Sequence, residues 1–312
     1  MKNNEQGEFV RWQSSFRNWI TSDGSAGPSG TGDFKAQANR YHLYVSLACP
    51  WAHRSLIFRE LKGLNHIITV SVVHPLMPDI SWIFGDYPGA TTDEVNGKNT
   101  LAEVYKIAKF DFNGVVTVPV LWDKKRNTIV NNESSEIIRM LNSAFNDLDD
   151  NKINSNLDFY PTALRDDINA VNTQVYDNIN NGVYRTGFAS SQTAYEQAYY
   201  DLFNSLEAME QRLASQKFLV GDVITEADWR FFVTLVRFDA VYVGHFKCNK
   251  KRIVDFPNLW QYTKQLYQIP GVAATVNLDH IKYHYYASHY SINPTRIVPV
   301  GPELNFMAKH NR

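Results

Sequence analysis

Residues 41–64, YHLYVSLACPWAHRSLIFRELKGL, constrain the fold more than any other part of the chain. A short apolar run of β-formers, YHLYVSLA, reads as a buried strand. It passes without a linker into a helical pattern, with Ala52, Leu56, Ile57, Leu61 and Leu64 at helical spacing. Pro50 suits the first turn of that helix and Gly63 suits its end. One residue, Cys49, sits at the junction. The positive end of a helix dipole favours an anion there, so a cysteine at this point is expected to ionise near neutral pH and act as a nucleophile. Elsewhere a lone cysteine is usually a buried structural residue. The strand-Cys-Pro-helix setting favours the reactive reading. A C-x-x-C pair is excluded, because Ala52 occupies the third following position. Cys49 therefore needs an external thiol to regenerate it.

The rest of the first half extends this unit. HIITVSVVHPL reads as a second buried strand, and residues 79–104 as a long insertion rich in Gly, Pro, Asp and Thr. VVTVPVLWD (115–123) reads as a third strand interrupted by Pro119, TIVNN as a fourth, and ESSEIIRMLNSAF as a helix. The expected order is strand, helix, strand, insertion, hairpin, helix. A cis bond at Val118-Pro119 would leave the Val118 backbone able to pair with an extended peptide ligand. Ser134 at a helix start is ordinarily a cap. The same geometry can hold a ligand carboxylate, with Glu133 placed for an ammonium.

From about residue 160 only helical periodicity remains, and ITEADW (224–229) reads as a capping box with no catalytic role. The expected organisation is an extended leader (1–40), an α/β domain (41–150), an all-helical domain (158–288) and an irregular tail (289–312).

A length of 312 residues suits two domains. The net charge of -1 gives no electrostatic case for nucleic acid or an anionic membrane. The most apolar stretch, 231–236, is flanked by Arg230 and Arg237 and is far short of the roughly 20 residues a helix needs to span a bilayer. The N-terminal residues lack an apolar signal-peptide core. Two cysteines exclude a disulfide framework, which leads us to expect a reducing, cytoplasmic setting. Cys248 is expected to be structural. His280 and His284 stand i, i+4 but lack an acidic or cysteine partner in a ligand pattern, so no metal is expected.

The strand-Cys-Pro-helix, Val118-Pro119, Glu133-Ser134 and the Gly221-Asp222-x-Ile-Thr-x-Ala-Asp228 box, in this order, resemble a glutathione transferase. More narrowly, CPWA, TVPVLWD, IVNNESSEI, NNGVYRTGFA, RFDAVY, IKYHYY and INPTRIVPVGP are similar to the Xi class, the glutathionyl-hydroquinone reductases. The likeness covers nearly the whole chain. It implies a thioredoxin-like N-terminal domain that binds glutathione as co-substrate, and an all-helical C-terminal domain. Cys49 would be the nucleophile. Val118 would pair with the cysteinyl backbone of glutathione, Glu133 and Ser134 would hold its γ-glutamyl end, and Trp82 would pack on it. Tyr184 and Tyr285, with Tyr242 as a third candidate, would contact the quinol. Lys98 and Lys106 are both open as the ligand of the glycyl carboxylate. The implied activity is reduction of S-glutathionyl hydroquinones, with a homodimer as the implied assembly. A broader omega-like thiol transferase or dehydroascorbate reductase, and a non-catalytic glutathione-transferase-like binding module, are the alternatives.

Overall fold

The computed structural model describes residues 3–78 and 81–312; residues 79 and 80 of the insertion, and residues 1 and 2 of the leader, lie outside the described residues. The chain divides into two compact units. One comprises Met1–Trp12, Phe159–Ala273 and Tyr285–Arg312, the other Gln13–Asp158 and Ala274–His284.

The second of these carries a four-stranded sheet. Strands β1 (Tyr41–Val45), β2 (Thr69–Val72), β3 (Val120–Asp123) and β4 (Thr128–Asn131) lie in the order β2-β1-β3-β4. β1 pairs in parallel with β2 and antiparallel with β3, which pairs antiparallel with β4. All five residues of β1 are buried, as its continuous apolar run requires. Helix α1 (Pro50–Leu61) packs against α3 (Ser134–Ser143). It buries Leu56, Ile57 and Phe58, each contributing about 2 kcal/mol. Gly63 ends α1 with a φ of 70°; a Cβ there would lie 2.0 Å from the Lys152 carbonyl oxygen, so only glycine fits.

Two elements differ from the sequence reading. The third strand begins at Val120 rather than 115, because Pro119 has no N–H for the ladder, and the Val118-Pro119 bond is cis. The insertion leads into a helix that was not expected, α2 (Leu101–Ala108), opened by a Thr100–Glu103 capping box.

In the other unit the secondary structure is helical: α4 (Arg165–Gln174), α5 (Gly182–Phe188), α6 (Gln192–Ser215), α7 (Glu226–Arg237) and α8 (Pro257–Tyr267). A π-helical turn, Phe238–Tyr242, continues α7. The expected capping box opens α7, with Thr225 and Asp228 bonded reciprocally. The last helix, α9 (Leu278–Ser288), contributes residues to both units. Among the described residues no helix is long and apolar enough to cross a membrane. The fold is thus a small mixed α/β unit joined to helices, as the sequence led us to expect.

Candidate active site

Two groups of residues carry the candidate chemistry, one in each unit.

The first is built on β1, α1 and α3. Cys49 is the residue before helix α1, in extended conformation, and its side chain makes no capping bond. It is half-buried, and its Sγ lies 3.6 Å from the carbonyl oxygen of Val118. The α1 dipole favours the thiolate over the thiol at this position. Cys248, by contrast, is buried, and burial pushes its thiol far up from the ordinary value.

At the start of α3 the cap is Glu133, not Ser134. The Glu133 carboxylate accepts from Ser135 N at 3.1 Å, from Ser135 Oγ at 2.8 Å and from Ser14 Oγ at 2.9 Å. Burial raises the pKa of this carboxyl. The Ser135 and Ser14 hydrogen bonds and the charge of Arg54 outweigh that and hold it below the ordinary glutamate value. Ser134 is buried, and its Oγ accepts from Arg54 Nη1 at 3.4 Å. The Arg54 guanidinium also stands 4.6 Å from the Trp51 ring centroid.

Arg54 and Ser14 were not singled out in the sequence. Arg54 follows Cys49 on α1 and is 1% exposed; a charged residue on the apolar face of the helix was its only sign. Ser14 lies in the leader, whose described residues form no helix or regular strand to give it a pattern.

Trp82 is placed by other contacts. It is buried, its carbonyl accepts from Leu101 N at 2.9 Å, and its ring stacks on His284 with centroids 4.8 Å apart. His284 Nδ1 donates to the Pro75 carbonyl at 2.9 Å, and His280 Nε2 donates to the Pro88 carbonyl at 2.7 Å. The two histidines of α9 thus tie down both ends of the segment that carries Trp82. No group of three or more His, Cys, Asp or Glu able to hold a metal occurs among the described residues. Lys98 is partly exposed and Lys106 exposed.

The second group lies in the helical unit. Tyr184 on α5, Tyr242 at the end of the π-helical turn and Tyr285 on α9 meet through their hydroxyls. Tyr184 and Tyr285 are 2.5 Å apart, and Tyr242 and Tyr285 are 3.1 Å apart. Tyr285 is the hub and is 1% exposed. Burial, and then the neighbouring phenols, raise the pKa of Tyr242 and Tyr285 well above the ordinary value. Both are therefore proton carriers at neutral pH. Tyr283 and Tyr286 are not in this cluster. Tyr283 packs on His74 and Tyr87, and Tyr286 on His245.

Residues 48–144 match the glutathione S-transferase N-terminal domain family, and residues 192–265 the C-terminal domain family. The chain is 53% identical to the glutathionyl-hydroquinone reductase YqjG of Escherichia coli, over 98% of this chain and 92% of that one. The glutathione-bound structure of YqjG superposes with a TM-score of 0.93, covering 96% of each chain. Identity to the glutathionyl-hydroquinone reductase PcpF of Sphingobium chlorophenolicum is 50%, over 95% of this chain and 90% of that one. The Xi glutathione-S-transferase of Phanerochaete chrysosporium superposes with a TM-score of 0.89 at 52% identity, covering 94% of this chain and 97% of that one.

Proposed function

Because this chain belongs to the Xi class of glutathione transferases, the glutathionyl-hydroquinone reductases, we propose that it uses glutathione to reduce S-glutathionyl hydroquinones to hydroquinones through Cys49. The observation that carries the reading is the half-buried cysteine at the start of α1, its sulfur beside the Val118 carbonyl.

In the first half-reaction the Cys49 thiolate attacks the sulfur of the substrate. A Cys49–glutathione disulfide forms and the carbon–sulfur bond breaks. The ring carbon gains a proton and the electron pair of the broken bond passes into the ring, giving the free hydroquinone. A phenol held near the ring favours the keto tautomer and supplies that proton. We assign this role to Tyr184 and Tyr285, with Tyr242 as their partner. In the second half-reaction a glutathione thiolate attacks the mixed disulfide. Oxidised glutathione leaves and the Cys49 thiolate returns. This is covalent, double-displacement chemistry.

We assign Val118, Glu133, Ser134 and Trp82 to glutathione. The bond-accepting Glu133 carboxylate, held ionised, suits an ammonium. The nearness of the Val118 carbonyl to Cys49 supports its pairing with the extended backbone of glutathione. Residues 41–150 then form the glutathione-binding domain and 158–288 the helical domain that contacts the quinol. The low cysteine content supports a cytoplasmic setting, and family membership supports a homodimer.

The test is Cys49→Ser. It should abolish release of menadiol from glutathionyl-menadiol in the presence of glutathione. Retention of most of the rate would remove Cys49 from the mechanism. A broader thiol transferase would instead turn over a simple glutathione mixed disulfide as fast as the glutathionyl quinol.

A further inference from the structure

The leader, whose described residues form no helix or regular strand, contributes a cation to the tyrosine cluster. Three contacts within the helical unit hold its first residues in place. Asn3 Nδ2 donates to the Phe188 carbonyl at 2.9 Å, and Ser190 N donates to the Gly7 carbonyl at 2.9 Å. Phe9 is buried, stacks on Tyr184 at 6.4 Å and packs on Phe188 at 5.6 Å. Two residues later the Arg11 guanidinium lies 4.8 Å from the centroid of the Tyr184 ring and 5.3 Å from that of Phe9. Its direction is fixed by Nε, which donates to Asn181 Oδ1 at 2.5 Å, just before α5 begins. Tyr184 is therefore covered on its ring by a half-buried cation while its hydroxyl bonds to Tyr285.

A cation over an aromatic face is attracted to it electrostatically. When the ring belongs to a phenol the attraction grows as the hydroxyl ionises, because the phenolate delocalises negative charge into the ring. The cation thus makes the phenol a stronger acid. The other ionisable groups around the cluster are Tyr242 and Tyr285 themselves, His245 and His289 against Tyr285, Arg237, whose charge favours the ionised forms of Tyr242 and Tyr285, and Arg185, paired with Asp201. Among these, Arg11 is the cation placed on the Tyr184 ring.

We propose that Arg11 is a positioning residue of the quinol subsite, which raises the acidity of the Tyr184–Tyr285 pair and thereby promotes protonation of the ring carbon. This inference rests on the assignment of Tyr184 and Tyr285 to the quinol. It gives the leader a part in the reaction.

Two measurements test it. The first is the ratio of kcat for glutathionyl-menadiol to kcat for the glutathione mixed disulfide of 2-mercaptoethanol, which needs Cys49 but no proton on carbon. Arg11→Met should lower that ratio about tenfold and move the alkaline limb of the quinol reaction upward by about one pH unit. The sign follows from the charge: removing a cation makes the phenol a weaker acid. Arg11→Lys, which keeps the charge, should recover most of the ratio. A ratio unchanged in Arg11→Met, or lost equally in Arg11→Lys, overturns the proposal.

The second measurement needs no turnover. The ultraviolet tyrosinate titration of the protein minus that of Tyr184→Phe isolates Tyr184. Its midpoint should rise when the pair of titrations is repeated in the Arg11→Met background, and an unmoved midpoint overturns the proposal. A wild-type protein inactive on glutathionyl-menadiol would refute the proposed function, while the tyrosinate midpoint would still decide the role of Arg11.

Discussion

Glu133 is a structural cap to which we also assign a ligand role. Its carboxylate caps α3 through Ser135 and takes a further bond from Ser14 of the leader. Its folded pKa is depressed, so its contribution to stability is present above the ordinary value of 4.5 and is lost as pH falls through the lower folded value. Ser14→Ala removes one of the bonds that depress it. We expect a loss of about 1 kcal/mol and an acid-unfolding midpoint moved to higher pH, read by denaturant unfolding across pH 3–7. We also expect weaker glutathione binding. An unshifted midpoint would show that the Ser14 bond does not act on the carboxylate. At the tyrosine cluster the hub makes the strongest prediction. Tyr285→Phe deletes the hydroxyl that bonds both Tyr184 and Tyr242. The quinol reaction should slow by about 10²-fold or more, the usual worth of a positioned proton donor. Turnover of a simple mixed disulfide should change little; equal losses in both reactions would mean that the hydroxyl network only holds the fold.

The capping box of α7 is the element whose loss should be felt most widely. Asp228 is fully buried and accepts from Leu219 N, from Thr225 N and Oγ1, and from Tyr262 OH, so it joins the preceding turn, the helix start and α8. Asp228→Ala leaves several buried donors unpaired, and we expect a cost of roughly 3 kcal/mol or more, against about 1 kcal/mol for an ordinary cap. Thermal unfolding of the variant checks this, and a loss no larger than that of a surface cap would contradict it. This box, the β1–Cys49–α1 junction and the hairpin were legible in the sequence because each is fixed by neighbours in the chain: apolar spacing, a proline, a cap. Helix α2 was hidden because the polar, Gly- and Pro-rich composition before it was carried on to residue 104, past the Thr100–Glu103 box that opens it. The extent of β3 was overread because Val115, Val116 and Thr117 have the composition of a strand, while the ladder starts only after Pro119. Arg54, Ser14 and Arg11 were out of reach for a different reason. Their partners stand between 80 and 173 positions away in sequence for Arg54–Ser134, Ser14–Glu133 and Arg11–Tyr184, and no local pattern encodes such a pairing.

For the whole molecule the proposed half-reactions share one sulfur, so the kinetics should be of the double-displacement type. Initial rates at several fixed glutathione concentrations should give parallel lines in reciprocal plots; intersecting lines would mean that both substrates bind before any bond is broken. The proposed homodimer is checked by light scattering, with a particle of twice 35.8 kDa expected and a particle of 35.8 kDa excluding it. The Cys49–glutathione disulfide is the intermediate on which the proposed mechanism turns. Protein freed of glutathione is mixed with one equivalent of glutathionyl-menadiol, with no added thiol, and quenched in acid for peptide mass spectrometry. One glutathionyl group should appear on the Cys49 peptide, with an equal amount of menadiol released and Cys248 unmodified. Release of menadiol with no adduct, or an adduct on Cys248, would contradict it.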